Sequence, residues 1–513
     1  MMRKEIFKNR FVQCMAAVSA LVFGQACTDL EPTFTDSVSI ESSEGSFGGV
    51  ASTANSLEAL YNNIENLNGQ NNEYALMEVA AENIAVLTRG VDWSDNGVWR
   101  ELHNHTWNPE QLYVLNSWNN RNSQILSATQ LLDAASGANA SETAQAQVIR
   151  AINVAMVLNW FGQVPFRGVN DGVDVDPTVL SPQEAYDLII GDLTSAINSG
   201  NLHTDGPDGD LFTIGEASAR FIRAKVNLNS GSFLGSPAAG AMDAVIADVN
   251  AIEGLGFALD ASAFYFDIFD LTTGNTEVIM ALDTSTGQRM FNMIHPNQTG
   301  WNGFVTLTET FRLHGTDDPA VDARVGLAGP DFNGLSTGYI RGQQLDGTGA
   351  AMNDRQGNAL VYEDELLQSL EVNNERTGIR CVKYPQRGGD GFPDPSNNFV
   401  FFRFAEALLM RAEATLRGGT GSPNTAVADV NAIRVRAGVA PLGAITLDEM
   451  RSEIRKELNT ESNIFGQRAV QIRFGTFANT WELKTVQEDF RVLFPIPSTA
   501  LATNPNLVQN PGY

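Results

Sequence analysis

Phe494-Pro495-Ile496-Pro497, Asn504-Pro505-Asn506-Leu507 and Gln509-Asn510-Pro511-Gly512-Tyr513 close the chain. A C-terminus frays unless something holds it. Here each proline fixes its own φ and disfavours helix in the residue before it. The stretch therefore predicts a stiff, extended strap over residues 490–513, laid across the body of the protein. An ordinary Pro-rich tail is the alternative reading.

The opposite end is patterned for export. Arg3, Lys4, Lys8 and Arg10 form a positive region, Phe11 to Phe23 an apolar one, and Gly24-Gln25-Ala26 leads to Cys27. The apolar run is too short for a spanning helix and reads as a secretory signal over residues 1–26. A cysteine after small residues fits lipoprotein processing with lipid on Cys27, although Gly24 and Gln25 depart from the usual site. Cleavage at an ordinary small-residue site is the alternative. Residues 27–50, rich in Ser, Thr, Glu and Gly, read as a flexible tether. No later segment is apolar for long enough to cross a membrane, so attachment would be through lipid.

The formal charge is −27, from 33 basic and 60 acidic residues. That excludes a phosphate-backbone binder, which needs a basic face. Of the three cysteines, Cys14 lies in the signal and Cys27 is the lipid candidate. Cys381 is left without a partner, and no CxxC metal site exists.

Apolar periodicity predicts helices at 52–67, 73–87, 109–135, 142–160, 181–199, 216–230 and 241–253. Ser181-Pro182-Gln183-Glu184 is a complete start signal: cap, proline, acidic first turn. Ser141-Glu142 reads similarly. Between 255 and 400, Gly, Asn and Asp punctuate short segments such as Glu277 to Leu282, so loops and short strands are expected there. Helices return at 399–417, 423–437 and 446–463, the last with Thr446 as N-cap. The expected division is an N-terminal helical region, 51–254, and a C-terminal region, 255–513, with the insert at 255–400. The residues alone support a mostly α chain with an irregular insert.

The wording of the strap resembles the C-terminus of SusD/RagB-type outer-membrane nutrient-uptake lipoproteins, and further pieces follow in family order. Phe161-Gly162-Gln163-Val164-Pro165 resembles that family's FGDVP stretch, with Gln163 in place of Asp. Asp317-Asp318-Pro319 through Asp322-Ala323-Arg324 resembles its DPR segment. Lys383-Tyr384, then Phe402 through Ala414, resemble KY and RYAEVLLMYAEA. Val430 to Gly438 and Glu457 to Gly475 follow its later helix motifs, with Ala469-Val470-Gln471 replacing a region that holds Asp. The leader Thr28-Asp29-Leu30-Glu31-Pro32 resembles the family's acidic tether. The resemblance implies a mostly α, SusD-like fold: tetratricopeptide-like helix pairs with a loop-rich, short-strand insert forming the ligand face. It also implies a lipid-anchored, outward-facing outer-membrane protein that sits on a SusC-like TonB-dependent transporter and captures nutrients, most often glycans.

Candidate ligand residues lie in polar, non-periodic segments. Trp93, Trp99 and Trp107 cluster with Asp92, Asp95, Asn96, Arg100 and Asn104, while Trp301 and Asn302 lie between Gln298 and Gly303. Sugar rings present apolar C–H faces that pack on aromatic faces, with neighbouring polar groups taking the hydroxyls. The candidates are therefore Trp93, Asn96, Trp99, Arg100, Trp301 and Asn302, with loop anchoring as each tryptophan's competing role. Trp118 and Trp160 fall in helical patterns and are expected in the core. Arg403, Glu406, Glu413, Arg434 and Arg436 read as scaffold ion pairs.

Glu457 and Glu461 sit four apart on one helix face, where they cannot flank a glycosidic bond; Arg455, Arg468 or solvent are their expected partners. His103 and His105 lack a third metal ligand and read as a polar loop. Asp205-Gly206-Pro207-Asp208-Gly209-Asp210 reads as an exposed turn, off the EF-hand spacing. No catalytic residue, metal or cofactor is called for. The leading function is a glycan-binding lipoprotein delivering oligo- or polysaccharide to a TonB-dependent transporter. The alternatives are capture of peptides or other polymers on the same fold and, further off, a secreted glycan hydrolase.

Overall fold

The computed structural model describes residues 47–171, 176–271, 275–285, 292–326, 336–385 and 398–513. The signal segment, Cys27 and the tether up to residue 46 lie outside them.

Two long stretches of helix flank a strand-and-loop segment. The first comprises α1 (Thr53–Glu65), α2 (Val98–Asn104), α3 (Leu112–Leu131), α4 (Ala140–Phe161), α5 (Pro182–Asn198), α6 (Glu216–Leu234) and α7 (Ala241–Gly254). From α3 to α7 each helix packs on the next, so the stack grows neighbour by neighbour. Helix α4 lies at its centre and is buried almost all round from Val148 onward. The strand-and-loop segment itself holds the short α8 (Thr308–Arg312), and the second stretch holds α9 (Phe404–Leu416), α10 (Ala426–Arg436), α11 (Leu447–Leu458), α12 (Gly466–Arg473) and α13 (Ser498–Thr503). Helix α9 joins the two by packing on both α7 and α10.

Local chemistry explains several helix starts. Ser181 and Glu184 form a reciprocal capping box at α5, as do Thr446 and Glu449 at α11. At α4 the cap is Asn139 with Glu142, two residues before the expected Ser141.

The strands pair antiparallel: β1 (Ile84–Val86) with β5 (Phe304–Thr306), β2 (Val164–Phe166) with β3 (Thr178–Leu180), and β4 (Val278–Ser285) with β10 (Asn398–Arg403). Strand β6 (Gly338–Ile340) pairs with β9 (Arg380–Val382), and β7 (Gly342–Gln343) with β8 (Val361–Tyr362). Two expectations change. Residues 73–87, expected as a helix, contain one wide turn at Ala75–Val79 and then β1. The helix expected at 399–417 begins only at Phe404, because Asn398–Arg403 pairs with β4. In both places a partner more than a hundred residues away decides the conformation.

A buried ionic cluster ties α11 to the strand segment. Arg403 donates to Glu277 at 2.8 Å, Glu457 at 2.9 Å and Glu461 at 2.5 Å. Arg436 reaches Glu457 at 2.5 Å and also Glu277, Lys383 pairs with Glu461, and Arg324 lies 3.5 Å from Glu457. Glu457 and Glu461 therefore do not meet Arg455 or Arg468. Arg455 turns to Glu82 and Thr310, and Arg468 donates to Asn159 and the Val492 carbonyl. Removing one partner from such a cluster leaves an uncompensated buried charge, at a cost of about 3–5 kcal/mol. Arg403, Glu406, Glu413, Arg434 and Arg436 all sit in ion pairs of this scaffold.

The C-terminal residues lie against the α4 end of the helical stack. Phe494 N–H donates to the Trp160 carbonyl at 2.8 Å. Asn510 Nδ2 donates to the Phe161 and Phe494 carbonyls at 3.0 and 2.7 Å. Gln163 both donates to the Val508 carbonyl at 2.7 Å and accepts from the Val508 N–H at 3.2 Å. An aspartate carboxylate at that position could accept but not donate. Tyr513 takes the Trp107 indole N–H at 2.7 Å and gives its own proton to the Leu493 carbonyl at 2.8 Å.

Candidate functional site

The register of β1 and β5 brings two distant loops together. Val86 lies opposite Phe304, and Leu87 N–H donates to the Gly303 carbonyl at 3.0 Å. Chain leaving β1 and chain entering β5 therefore emerge side by side. The first carries Trp93 and the second Trp301. The Trp93 indole N–H donates to the Trp301 carbonyl at 2.8 Å. The Trp93 ring lies so close over Gly303 that a Cβ there would come within 2.2 Å of it. Phe304 supports both Trp93 and Trp99 edge-on, at centroid distances of 5.6 and 5.4 Å.

Both loops hold unusual backbone. Trp93, Asp95, Asn96, Thr299 and Asn302 have positive φ, five of nine such non-glycine residues among those described. Left-handed backbone costs about 1–2 kcal/mol at a residue bearing Cβ. It persists here because cross-loop hydrogen bonds over-determine the conformation. Asn302 supplies most of them. Its carbonyl accepts from Arg89 Nε at 2.6 Å, its Oδ1 accepts from Arg380 Nη2 at 2.6 Å, and its Nδ2 donates to the Glu375 carbonyl at 2.9 Å.

Between the loops lies an open depression of about 480 Å³. Trp93 and Trp301 form its aromatic part; Gln70, Asp92, Asp95 and Arg355 its polar part; Pro296 and Gly300 complete it. The Trp301 side chain is 52% exposed, the one exposed tryptophan among the described residues. Arg355 Nη2 donates to Asp92 at 2.8 Å and Nε donates to Glu375. Burial alone would raise the Glu375 carboxyl, but hydrogen bonds from the Arg355 N–H, His295 and the Arg355 guanidinium outweigh it and hold it at about 2. Hydrogen bonds to Asp92 and Glu375 raise Arg355 in turn. Burial lowers His295, which faces Glu375 at 2.9 Å. The depression thus combines an exposed aromatic face with fixed donors and acceptors, and it is open enough for a chain to lie across it.

The sequence candidates divide. Trp93 and Trp301 line the depression, and Asn96 is exposed on the turn next to Asp95. Arg100 stands aside, paired with Glu371 at 3.3 Å and donating to Thr88 at 3.0 Å. Trp99 is 2% exposed: it lies in the first turn of α2, donates to Asp95 at 2.7 Å and packs on Tyr113. Asn302 is 1% exposed and acts as the loop clasp just described. Trp107 is buried under the strap, and Trp118 and Trp160 are in the core. His103 and His105 are buried, on and beside α2, with their Nε2 N–H groups donating to the Glu482 and Ala80 carbonyls at 2.8 and 2.9 Å, not exposed in a polar loop. Burial lowers His103 to about 4. Among the described residues no group of three or more His, Cys, Asp or Glu is placed to hold a metal. Gln70, Arg355 and Glu375 were not foreseen; each lies in a polar stretch with no distinguishing pattern.

A second depression of about 640 Å³ runs between α3, the β2–β3 hairpin and α13. Its tryptophan, Trp118, is only 5% exposed and offers no free ring face. The Trp93–Trp301 depression is therefore the better candidate.

Residues 276–469 match the SusD family. The starch-binding protein SusD of Bacteroides thetaiotaomicron is 24% identical over 485 residues, covering 82% of each chain. Over those residues the chain carries the SusD family's pattern. Among solved structures, a SusD-like protein from Bacteroides fragilis superposes with a TM-score of 0.69 at 18% identity, covering 92% of this chain and 99% of that one. Surface glycan-binding protein A from Bacteroides thetaiotaomicron, solved with laminarihexaose, gives 0.63 at 18% identity, over 89% and 98%. The fold is the mostly α, SusD-like one.

Proposed function

We propose that this protein captures oligo- or polysaccharide at the cell surface, at the Trp93–Trp301 depression, and delivers it to a SusC-like TonB-dependent transporter without cleaving it. The carrying observation is the half-exposed Trp301 ring, held beside Trp93 and fixed polar groups in an open depression. A sugar ring can stack there while Asp92, Gln70 and Arg355 meet its hydroxyls. Names of relatives support the ligand class: one is a starch-binding protein, another a surface glycan-binding protein solved with a laminarin hexamer. Cys27 is the proposed lipid anchor and the outer face of the outer membrane the proposed location. No helix among the described residues is long and apolar enough to cross a membrane, and the proposed import step belongs to the transporter. Glu457 and Glu461, the carboxylate pair weighed and set aside as a catalytic pair, are committed to Arg403, Arg436 and Lys383.

The test has two arms. Native-gel retardation by a polysaccharide panel should be seen with the wild type and lost with Trp301→Ala. Mild-detergent pull-down from the source membrane should recover a TonB-dependent transporter near equal stoichiometry. Retardation that ignores Trp301 sinks the site, and recovery of this protein alone sinks the delivery step.

A further inference from the structure

The same depression carries a charge arrangement that bears on ligand class. Asp92 and Asp95 are its carboxylates and Arg355 its guanidinium. Arg355 is half exposed, but its charge is already matched. Asp92 lies 2.8 Å from Nη2, Glu375 takes Nε, and the second Glu375 oxygen takes the Arg355 backbone N–H at 2.8 Å. One cation therefore stands between two anions, and Asp95 adds a third. The other cations nearby are turned elsewhere. Arg100 pairs with Glu371. Arg89 and Arg380 are buried beneath the loops, their N–H groups directed to the carbonyls of Asn302, Asn374, Thr377 and Gly378 and to Asn302 Oδ1. His295 faces Glu375, and burial favours its neutral form.

A hydroxyl group can use this lining as donor and acceptor both. A carboxylate or sulfate would meet Asp92 and Asp95 without meeting an unmatched cation, which is repulsive discrimination of the ordinary electrostatic kind. We infer that the ligand is an uncharged polysaccharide, and that Asp92 enforces this by keeping the Arg355 guanidinium engaged. This rests on the glycan-capture reading above.

The test uses the full-length protein in native gels cast with starch, laminarin, xylan and galactomannan, each beside its carboxymethylated derivative, plus alginate, pectate and chondroitin sulfate. Wild type, Asp92→Asn and Trp301→Ala are compared. Retention by an uncharged polymer should depend on Trp301 and should weaken roughly tenfold in the carboxymethylated form, the scale of one close like-charge contact. Asp92→Asn should narrow that gap by freeing Arg355, and the gain should fade at high salt. Trp301-dependent retention by a charged polymer equal to that by its uncharged parent overturns the charge inference and leaves capture standing. An unchanged gap in Asp92→Asn removes Asp92 from the role assigned to it. No retention by any polymer, or retention indifferent to Trp301, overturns the capture reading and this inference with it.

Discussion

Asn302→Ala should both destabilise the protein and weaken ligand binding, although Asn302 touches no ligand. The Arg380 guanidinium would lose its 2.6 Å acceptor, and a hydrogen bond to a charged group is worth about 1.5–3 kcal/mol. The Glu375 carbonyl would lose a 2.9 Å donor, worth about 1 kcal/mol. Alanine keeps a Cβ at a φ of +55, so the backbone cost that asparagine already bears is not relieved. The sum is about 2.5–4 kcal/mol, at the upper end for a single substitution. Asn302→Gly tolerates the backbone and loses only the side-chain bonds, so it should fall about 1–2 kcal/mol short of the alanine variant. Urea denaturation followed by far-ultraviolet circular dichroism gives the stabilities, and titration calorimetry with a retained polysaccharide gives affinity. Both variants should bind more weakly, because Trp301 is the preceding residue and its carbonyl anchors Trp93. If both variants unfold with the wild type, to within about 0.5 kcal/mol, the clasp argument fails.

Trp301→Ala should lower glycan affinity about tenfold, for loss of a stacking contact of about 1.4 kcal/mol, while leaving the melting temperature unchanged; early melting with normal binding would make it a core residue. Trp99→Ala should instead cost about 3–5 kcal/mol of stability as a buried ring is emptied, read as a drop in urea midpoint. Asn510→Ala removes two buried carbonyl contacts of the strap and should cost about 1–3 kcal/mol, with faster carboxypeptidase digestion from Tyr513 as the second readout. In acid, Glu375 has a folded-state value of about 2 against an ordinary 4.5, so its stabilising effect is complete above about pH 4.5 and is lost as pH falls toward 2. The urea midpoint should therefore decline across that window, less steeply in Glu375→Gln, and equal slopes would contradict the assignment. Cys27→Ser should release the protein from membranes, and continued attachment would reject lipid anchoring there.

The helical stack was readable because its signals are local. Ser181 with Glu184 and Thr446 with Glu449 are complete caps within four residues, and α5 and α11 begin where those residues say. The misreadings share one cause. Residues 73–87 and 399–403 are apolar on nearly every side, so no period separates helix from fully buried strand. Ile84–Val86 becomes a strand because Phe304–Thr306 supplies its partner, and Asn398–Arg403 because Val278–Ser285 does. Short helices such as α2 and α12 escaped for a related reason: one or two turns carry too few residues to show a face.

The site was half readable, and the division follows from what a sequence can encode locally. A tryptophan in a polar, aperiodic segment is singled out by that criterion, which fits Trp93 and Trp301 but equally fits Trp99, where a two-turn helix points the ring inward. Asn302 has the residue type of a sugar contact, yet its left-handed backbone and buried clasp arise from Arg89, Arg380 and Glu375, all of them more than seventy residues away. Arg355 gives no signal, since its role exists only once its turn packs against Asp92. The positive φ of Trp93 and Thr299 is invisible for the same reason: neither is a residue type that advertises such backbone. That strain is held in place by the β1–β5 pairing and the Asn302 clasp before any ligand arrives. Binding therefore need not order these loops, so affinity at this depression should follow ring faces and polar placement, with little conformational cost to offset.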